Sequence, residues 1–183
     1  MICPIEDLST RHEWGLRPAS VADVDALHSI ASEPLVYRFL FDGVAPNREA
    51  IAEMIANSLR DAEQAGLGIW VLHRSGIDCA GCVLLRPQPS SGFAELVYLL
   101  DPAYWRQGLA TRMAWTTMSA AFLAIPVIVA GADEANTASM GVMRRLGMRF
   151  HREVQYPLGP GIEYLRRHDD PAPDPRISPL AWS

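Results

Sequence analysis

The sequence predicts one domain of the α/β (α+β) class, with a mixed central sheet of about six to seven strands flanked by about four helices. Three observations predict it. Strand-like runs separated by short turns fill residues 68–100 and favour antiparallel neighbours. Apolar residues recur at helical spacing in several other segments. A long helical segment also separates the runs 93–100 and 127–130, so the fourth and fifth strands can lie parallel.

The first strand and the first helix are predicted from the residue types at their ends. Residues 16–19 form a strand placed at a sheet edge, because Pro18 has no N–H to donate to a neighbour. Ser20 follows as the N-cap of a helix over residues 21–32, and Asp23 adds an acidic group to its first turn.

The middle of the chain is predicted to supply a helix and three strands. Residues 33–43 add a short helical turn, and apolar residues at helical spacing extend a helix from 47 to about 65. Three strand-like runs follow, bounded by turn residues, over 68–74, 78–85 and 93–100.

The rest of the domain alternates helices and strands. A helix over 108–123 leads to the strand 127–130, and another over 137–146 ends at Gly147, a residue typical of helix C-termini. Two further strands form a closing hairpin, over residues 148–155 and 162–167.

The pattern divides the chain into three parts. An N-terminal extension covers residues 1–13, the domain covers residues 14–168, and a Pro-rich tail covers residues 169–183. Closely spaced prolines prevent the tail from continuing a helix or a strand. Leu180 and Trp182 offer apolar side chains for docking on a subunit or a neighbour, but the composition favours a frayed tail.

Composition excludes several classes of protein. The net charge of −5 argues against general binding to nucleic acids or to anionic membranes. All 16 cationic side chains are arginine, so a Schiff-base lysine and an ordinary P-loop lysine are excluded. No apolar run approaches the roughly 18 residues of a membrane span, and the N-terminus lacks the pattern of a signal peptide. We therefore expect a cytoplasmic protein.

Two of the three cysteines, Cys79 and Cys82, form a Cys-x-x-Cys pair inside a strand-like run. Redox pairs of this kind stand at the start of a helix, and no helix is predicted to follow here. A zinc site needs a second pair of ligands, and the sequence shows none. We interpret both cysteines as structural and predict no metal site.

Residues 105–111, Trp-Arg-Gln-Gly-Leu-Ala-Thr, form the most informative segment. They lie between the end of a strand and the start of a long helix. A loop of small residues in that position presents free backbone N–H groups and the positive end of the helix dipole. Phosphate oxygens bind at such helix starts, and Gly108 allows an anion to approach the backbone closely.

A second segment further along the chain carries Asn136-Thr-Ala-Ser139 and then Leu146-Gly147-Met148. Together the two segments resemble the CoA-binding core of the GNAT superfamily of N-acetyltransferases. The resemblance is closest to the RimJ/RimL-like branch, which acetylates the N-terminal amines of ribosomal proteins. A Tyr-Trp pair before a Gly-x-Ala-Thr loop is usual there, as in Tyr104-Trp105.

This resemblance implies acetyl-CoA as the cosubstrate. The loop would bind the pyrophosphate, and a splay between the fourth and fifth strands, near residues 97–99 and 130–132, would hold the pantetheine arm. Arg106 and Arg112 either add charge near the phosphates or lie on the surface. The implied cofactor-binding residues are Val97, Tyr98, Leu99, Arg106, Gln107, Gly108, Leu109, Ala110, Thr111, Asn136 and Ser139.

The catalytic residues are less sharply indicated. Glu95 is the candidate general base, because some GNAT enzymes keep a catalytic Glu near the start of the fourth strand; an outward-facing Glu in an alternating strand is the other interpretation. Glu134 is a second candidate. Many relatives carry a proton-donating Tyr where this chain has Met143, which cannot donate. Ser139 is the candidate substitute, with helix capping or a cofactor contact as its alternatives.

These inferences predict an N-acetyltransferase that moves an acetyl group from acetyl-CoA to a primary amine of a peptide N-terminus or a small molecule, by direct attack in a ternary complex. A site without a strong base favours an α-amine, because its pKa near ~8 leaves about a tenth of it neutral at pH 7. The first two helices and the final hairpin are expected to form the acceptor pocket, with aromatic residues such as Tyr156 available to line it.

Three questions stay open at this level. A non-catalytic acyl-CoA-binding module of the same fold is the main alternative. A thiol-redox or metal protein acting through Cys79 and Cys82 is the other. The sequence also leaves open a homodimer.

Overall fold

The computed structural model describes residues 13–61, 67–88 and 91–183, and within them five α-helices, eight β-strands and three short 3-10 turns follow one another. The strands are β1 (Gly15–Pro18), β2 (Gly68–Arg74), β3 (Ile77–Gln88), β4 (Phe93–Leu100), β5 (Val127–Asp133), β6 (Arg149–Tyr156), β7 (Gly159–Arg167) and β8 (Ala181–Trp182). The helices are α1 (Val24–Ala31), α2 (Pro34–Tyr37), α3 (Arg48–Asp61), α4 (Leu109–Ala121) and α5 (Thr137–Arg145).

All strands join one sheet in the order β6-β7-β5-β4-β3-β2-β1-β8. Neighbours are antiparallel except for two pairs, β4 with β5 and β1 with β8. The long helix α4 makes the crossover between β4 and β5, which is the connection that a parallel pair requires. The predicted mixed sheet with a parallel pair at the fourth and fifth strands is confirmed.

The C-terminal tail supplies the eighth strand, and the frayed tail expected from its composition is wrong. β8 pairs with β1, so β1 is not an edge strand as Pro18 had suggested. Leu180 is buried in the core, and its N–H donates to Thr116 Oγ1 on α4 at 2.8 Å. Burial of Leu180, its hydrogen bond to Thr116 and the pairing of β8 with β1 offset the conformational entropy that is lost when the tail is ordered.

Helices cover both faces of the sheet. On one face, α4 and α5 pack on the sheet through apolar side chains, among them Met113, Met118 and Met143. On the other face, α1 and α3 form a separate core through side chains such as Leu27 and Ile51. The sheet is therefore the middle of three layers, and each strand buries alternate residues on opposite sides.

The start of α1 is fixed by a buried carboxylate. Ser20 donates to Asp23 Oδ2 from its backbone N–H at 2.8 Å and from its hydroxyl at 3.0 Å. Arg17 of β1 binds both oxygens of Asp23, at 2.6 and 2.9 Å. Burial alone would raise the pKa of Asp23, but the hydrogen bonds from Arg17 and Ser20 outweigh it, and the pKa is lowered.

The predicted boundaries differ from the observed ones mostly at the ends of elements. The predicted extension of α3 to residue 65 falls on residues 62–66, outside the described residues, as do residues 1–12 of the N-terminal extension. β3 and β5 each run three residues further than predicted. In the described parts of the chain, no helix has the length and apolar character needed to cross a membrane.

Candidate active site

The sheet opens between β4 and β5. The two strands pair at only two positions, Ala94 with Ile128 and Glu95 with Val129. Beyond them β4 remains paired with β3 and β5 with β7, but the facing edges of β4 and β5 no longer bond to each other. A ligand with amide groups can pair with these free edges as an added strand would. The predicted cofactor residues on the β4 side of this gap are Val97, Tyr98 and Leu99.

The loop that follows β4 is held in a defined path. Asp101 caps a 3-10 turn by accepting a bond from the Ala103 N–H at 2.8 Å. The indole of Trp105 donates to the carbonyl of Leu100 at 2.7 Å, and the amide of Gln107 donates to the carbonyl of Ala103 at 3.4 Å. These bonds return the chain sharply from the strand to the start of α4.

The start of α4 is open to anions. Gly108 is the N-cap residue and has a φ of +75°, a conformation that favours glycine, and it has no side chain with which to cap the helix. Arg106 also has a positive φ, +62°. No residue that the structure describes caps the N–H groups of Leu109, Ala110 and Thr111. Because these donors point along the axis of a 13-residue helix, they form a ready site for phosphate.

Three arginines lie near this helix start, in different circumstances. Arg106 is exposed within the loop. Arg112 donates from Nε to the carbonyl of Ser178 at 3.0 Å, so the tail holds its side chain. Arg145, which the sequence analysis did not single out, donates from Nε to Thr111 Oγ1 at 3.4 Å. Its place in the last turn of α5 gave no signal, because cationic residues are common at helix C-termini.

The start of α5 brings two predicted residues together with Tyr98. Asn136 caps the helix by accepting a bond from the Ser139 N–H at 3.1 Å. The Ser139 hydroxyl lies 2.7 Å from the Tyr98 hydroxyl, across the gap-facing side of α5. Burial raises the pKa of Tyr98 to about 12. Ser139 is therefore hydrogen-bonded to a phenol that keeps its proton, while Met143, at the usual donor position, is buried in the core.

Glu95 lies on the other face of the sheet. Alternation along β4 places its side chain with Val97 and Leu99, toward α1 and α3. It is half-buried, and Arg86 Nε donates to its Oε2 at 2.8 Å. Arg86 also lines a cavity of about 410 Å³ between α3 and β3. Glu134, in contrast, is exposed in the loop after β5.

A group of polar side chains beside Glu95 comes from β5, β6 and β7. Burial and the negative charges of Glu163, Glu95 and Asp133 raise the pKa of Tyr156. Glu163 is 7% exposed and accepts a bond from Arg152 at 3.0 Å. Asp133 Oδ1 is buried and has no hydrogen-bond partner among the described residues.

Two glycines make room for the Tyr156 ring. A Cβ on Gly131 would overlap with the Tyr156 hydroxyl, and a Cβ on Gly161 would overlap with the edge of its ring. The ring therefore crosses β7 and β5 and reaches the point where β4 and β5 separate. Tyr156 is one of the aromatic residues predicted to be available for lining the acceptor pocket, whereas Asp133 and Glu163 were not predicted there. The sequence does indicate Glu163, because a charged residue between Ile162 and Tyr164 is unusual in an apolar strand.

Both cysteines of the Cys-x-x-Cys pair lie in β3 with free thiols. Burial raises the pKa of Cys79 to about 11 and raises that of Cys82 as well. Cys82 is part of the core under α1 and α3. Thiols of this kind are poor nucleophiles, because little thiolate is present near neutral pH. This environment supports their structural interpretation.

Comparison with known families identifies this arrangement. The model of the acetyltransferase (GNAT) domain matches residues 14–149. The chain belongs to the GNAT acetyltransferase family. Its open pair of strands and its uncapped helix start are therefore features of a GNAT domain, and the fold predicted from the two sequence motifs is confirmed.

Solved structures with the same fold have low sequence identity to this GNAT domain. A structure of the ribosomal L7/L12 α-N-protein acetyltransferase RimL in complex with coenzyme A superposes with a TM-score of 0.72, at 19% identity, covering 86% of this chain and 96% of that one. YncA from Salmonella typhimurium, with its cofactor acetyl-CoA, gives 0.71 at 17% identity, covering 90% and 99%. The ribosomal-protein-alanine N-acetyltransferase from Brucella melitensis gives 0.69 at 18%, covering 83% and 98%.

Proposed function

We propose that this protein transfers an acetyl group from acetyl-CoA to a primary amine within a ternary complex. Two features support this most directly, the gap between β4 and β5 and the uncapped start of α4, which follows β4 in the chain. The gap suits a chain of amides, and the helix start suits a diphosphate. Coenzyme A carries both groups, and bound CoA or acetyl-CoA is named for two structural neighbours.

Each part of the cosubstrate has residues to hold it. The backbone of Val97, Tyr98 and Leu99 pairs with the pantetheine amides. The N–H groups from Gly108 to Thr111 bind the pyrophosphate, with Arg106 and Gln107 at the mouth of the loop. Asn136 and Ser139 contact the arm from the start of α5, where they already form a capped turn. The thioester then lies close to the last β4–β5 pair, Glu95 with Val129.

The acceptor approaches from the face covered by α1 and α3. Glu95, Asp133 and Glu163 carry carboxylates on this face of the sheet, and their charges raise the pKa of Tyr156, although Glu95 and Glu163 are paired with Arg86 and Arg152. The buried, unpartnered Asp133 Oδ1 is suited to accept a bond from an ammonium group. This surface favours a cationic amine. The candidate bases among the described residues are carboxylates, which are weak bases, so an α-amine is favoured because more of it is neutral at pH 7.

The chain supplies a base on one side of the sheet and hydroxyls on the other. The amine nitrogen forms a bond to the acetyl carbonyl carbon, the bond from that carbon to sulfur breaks, and its electron pair remains on sulfur. Glu95 takes the proton from the nitrogen after its bond to Arg86 is released. The Ser139 hydroxyl, bonded to Tyr98, is the candidate proton donor for the thiolate, although a thiol of pKa about 8.5 can leave unaided.

A peptide N-terminus is the acceptor class favoured by the neighbours. RimL and the Brucella enzyme are named as acetyltransferases of ribosomal proteins. Their identity to this chain is below 20%, so a small amine is an equally testable acceptor. A cytoplasmic location and a homodimer stay predictions of the sequence.

A non-catalytic acyl-CoA-binding module is the second candidate. The ion pair of Glu95 with Arg86 and the bond of Ser139 to Tyr98 favour it, because both candidate catalytic groups are already engaged. A thiol-release assay distinguishes the transferase from the binding module. It measures free CoA formed from acetyl-CoA in the presence of a panel of amines and short peptides. Amine-dependent thiol release supports the transferase. Tight CoA binding without release under any acceptor supports the module.

A further inference from the structure

Arg145 turns back from the end of α5 toward the start of α4. Its Nε donates to Thr111 Oγ1 at 3.4 Å, and Thr111 is the third residue of α4. Gly141 lies one turn earlier on α5, beside the Arg145 side chain. A Cβ at Gly141 would lie 4.0 Å from both terminal nitrogens of Arg145, so the guanidinium follows the helix surface closely.

The charge of Arg145 has no carboxylate partner within the described residues. Seven ion pairs form there, and none includes Arg145. Its side chain is exposed, and the one hydrogen bond that it makes with the described residues uses Nε, so both terminal nitrogens are available to a ligand. Two other arginines near this end of the domain are engaged, Arg112 by the tail and Arg149 by Asp170, whereas Arg106 is exposed in the loop.

Arg145 lies next to the uncapped start of α4. Its partner Thr111 is the third residue of that helix, and the Thr111 N–H is one of the uncapped donors. A phosphate bound to those N–H groups would therefore lie beside the guanidinium.

We propose that Arg145 binds a phosphate of coenzyme A, together with the backbone N–H groups at the start of α4. The inference rests on the proposed function, because it assumes that CoA occupies this path. A planar guanidinium matches two phosphate oxygens, and such charge-assisted pairs are stronger than bonds between neutral groups. Arg145, and not Arg112, then adds cationic charge to the phosphate site, together with the exposed Arg106 at the mouth of the loop.

The test compares ligands with and without phosphate. Isothermal titration calorimetry measures Kd for coenzyme A and for pantetheine with the wild-type protein, Arg145→Gln and Arg145→Lys. We expect Arg145→Gln to raise the Kd for coenzyme A about 10- to 100-fold and to leave the Kd for pantetheine unchanged. Arg145→Lys should recover part of the loss. The matched control is Arg144→Gln, which removes the neighbouring charge, whose Nη2 lies 3.5 Å from the Tyr164 hydroxyl.

Salt dependence provides a second measurement that a merely structural role would not move. Raising the salt concentration should weaken the binding of coenzyme A less in Arg145→Gln than in the wild type, because one ionic contact has been removed. Equal weakening of coenzyme A and pantetheine, or an unchanged Kd and salt dependence for coenzyme A, overturns the assignment of Arg145. Failure of the wild type to bind coenzyme A would instead overturn the proposed function.

Discussion

The ion pair between Glu95 and Arg86 bears on whether Glu95 can act as a general base. Its position near the start of β4 agrees with a general base, and its side chain faces the same side of the sheet as the acceptor carboxylates. Its bond to Arg86 is a cross-strand contact between two half-exposed groups, so it costs little to release. The ion pair is therefore compatible with a base that is freed when the acceptor enters.

Glu95→Gln is expected to lower kcat about 100-fold or more, because the proton of the amine loses its acceptor. Affinity for coenzyme A should not change, since Glu95 faces away from the phosphate loop. Steady-state kinetics with the best amine, together with CoA titration, measures both. The control is Glu134→Gln, which removes an exposed carboxylate beyond β5. A normal kcat in Glu95→Gln would assign the residue a surface role.

Gly131→Ala is expected to destabilise the fold by about 1–3 kcal/mol, because its Cβ would overlap with the Tyr156 hydroxyl. Adding Tyr156→Phe removes that oxygen and should return part of the lost stability. Urea unfolding of the two single variants and the double variant gives the coupling free energy between these positions. Additive effects would mean that the two side chains do not compete for the same space.

Among the elements, those with local signals were predicted well. β2 and β4 have the predicted boundaries, and α4 and α5 begin within one residue of the predicted starts. Alternating or helical patterns and turn residues specify such segments locally. β8 has no such signal, because two residues after a Pro-rich stretch carry no periodicity. Its pairing depends on β1, which lies more than 160 residues away.

Leu180→Ala should lower the free energy of unfolding by about 2–5 kcal/mol, because Leu180 is 5% exposed and packs in the core beside α4. Leu123→Ala is the matched control, since Leu123 is 90% exposed just after α4, and its effect should be within about 0.5 kcal/mol. Urea denaturation compares them. A loss for Leu180→Ala no larger than that of the control would show that the tail does not support the core.

At the scale of the whole molecule, the proposed cofactor side of the site has more signal in the sequence than the proposed acceptor side. The loop and the start of α5 are continuous segments, and each carries its own motif. The proposed acceptor residues Glu95, Asp133, Tyr156 and Glu163 come from four strands, so they are brought together only once the sheet has its register. Arg145 was missed for the same reason, because its partner Thr111 belongs to another helix.

Stability should depend on pH through Asp23, which joins β1 to the first helix. Its pKa is lowered in the folded protein, so the stabilisation is present above the unfolded value near ~3.9 and is lost as pH falls through the folded value. Asp23→Asn should cost about 1–3 kcal/mol at pH 7, and the difference from wild type should shrink below about pH 4.

Urea unfolding between pH 7 and pH 3 measures this difference. Asp25→Asn is the control, because Asp25 and its partner Arg48 are both largely exposed. A gap between wild type and Asp23→Asn that stays constant over this range would contradict the assigned linkage.

The separation of β4 from β5 divides the sheet into two blocks, one of five strands and one of three, joined within the sheet by two residue pairs. A ligand lying in that opening would form hydrogen bonds with both blocks and hold them together. Amide protons along both borders should then exchange with deuterated solvent more slowly in the presence of coenzyme A, even where they never touch it. The protein would be most rigid with the coenzyme bound. Release of free coenzyme A after the reaction would allow the two blocks to shift against each other again.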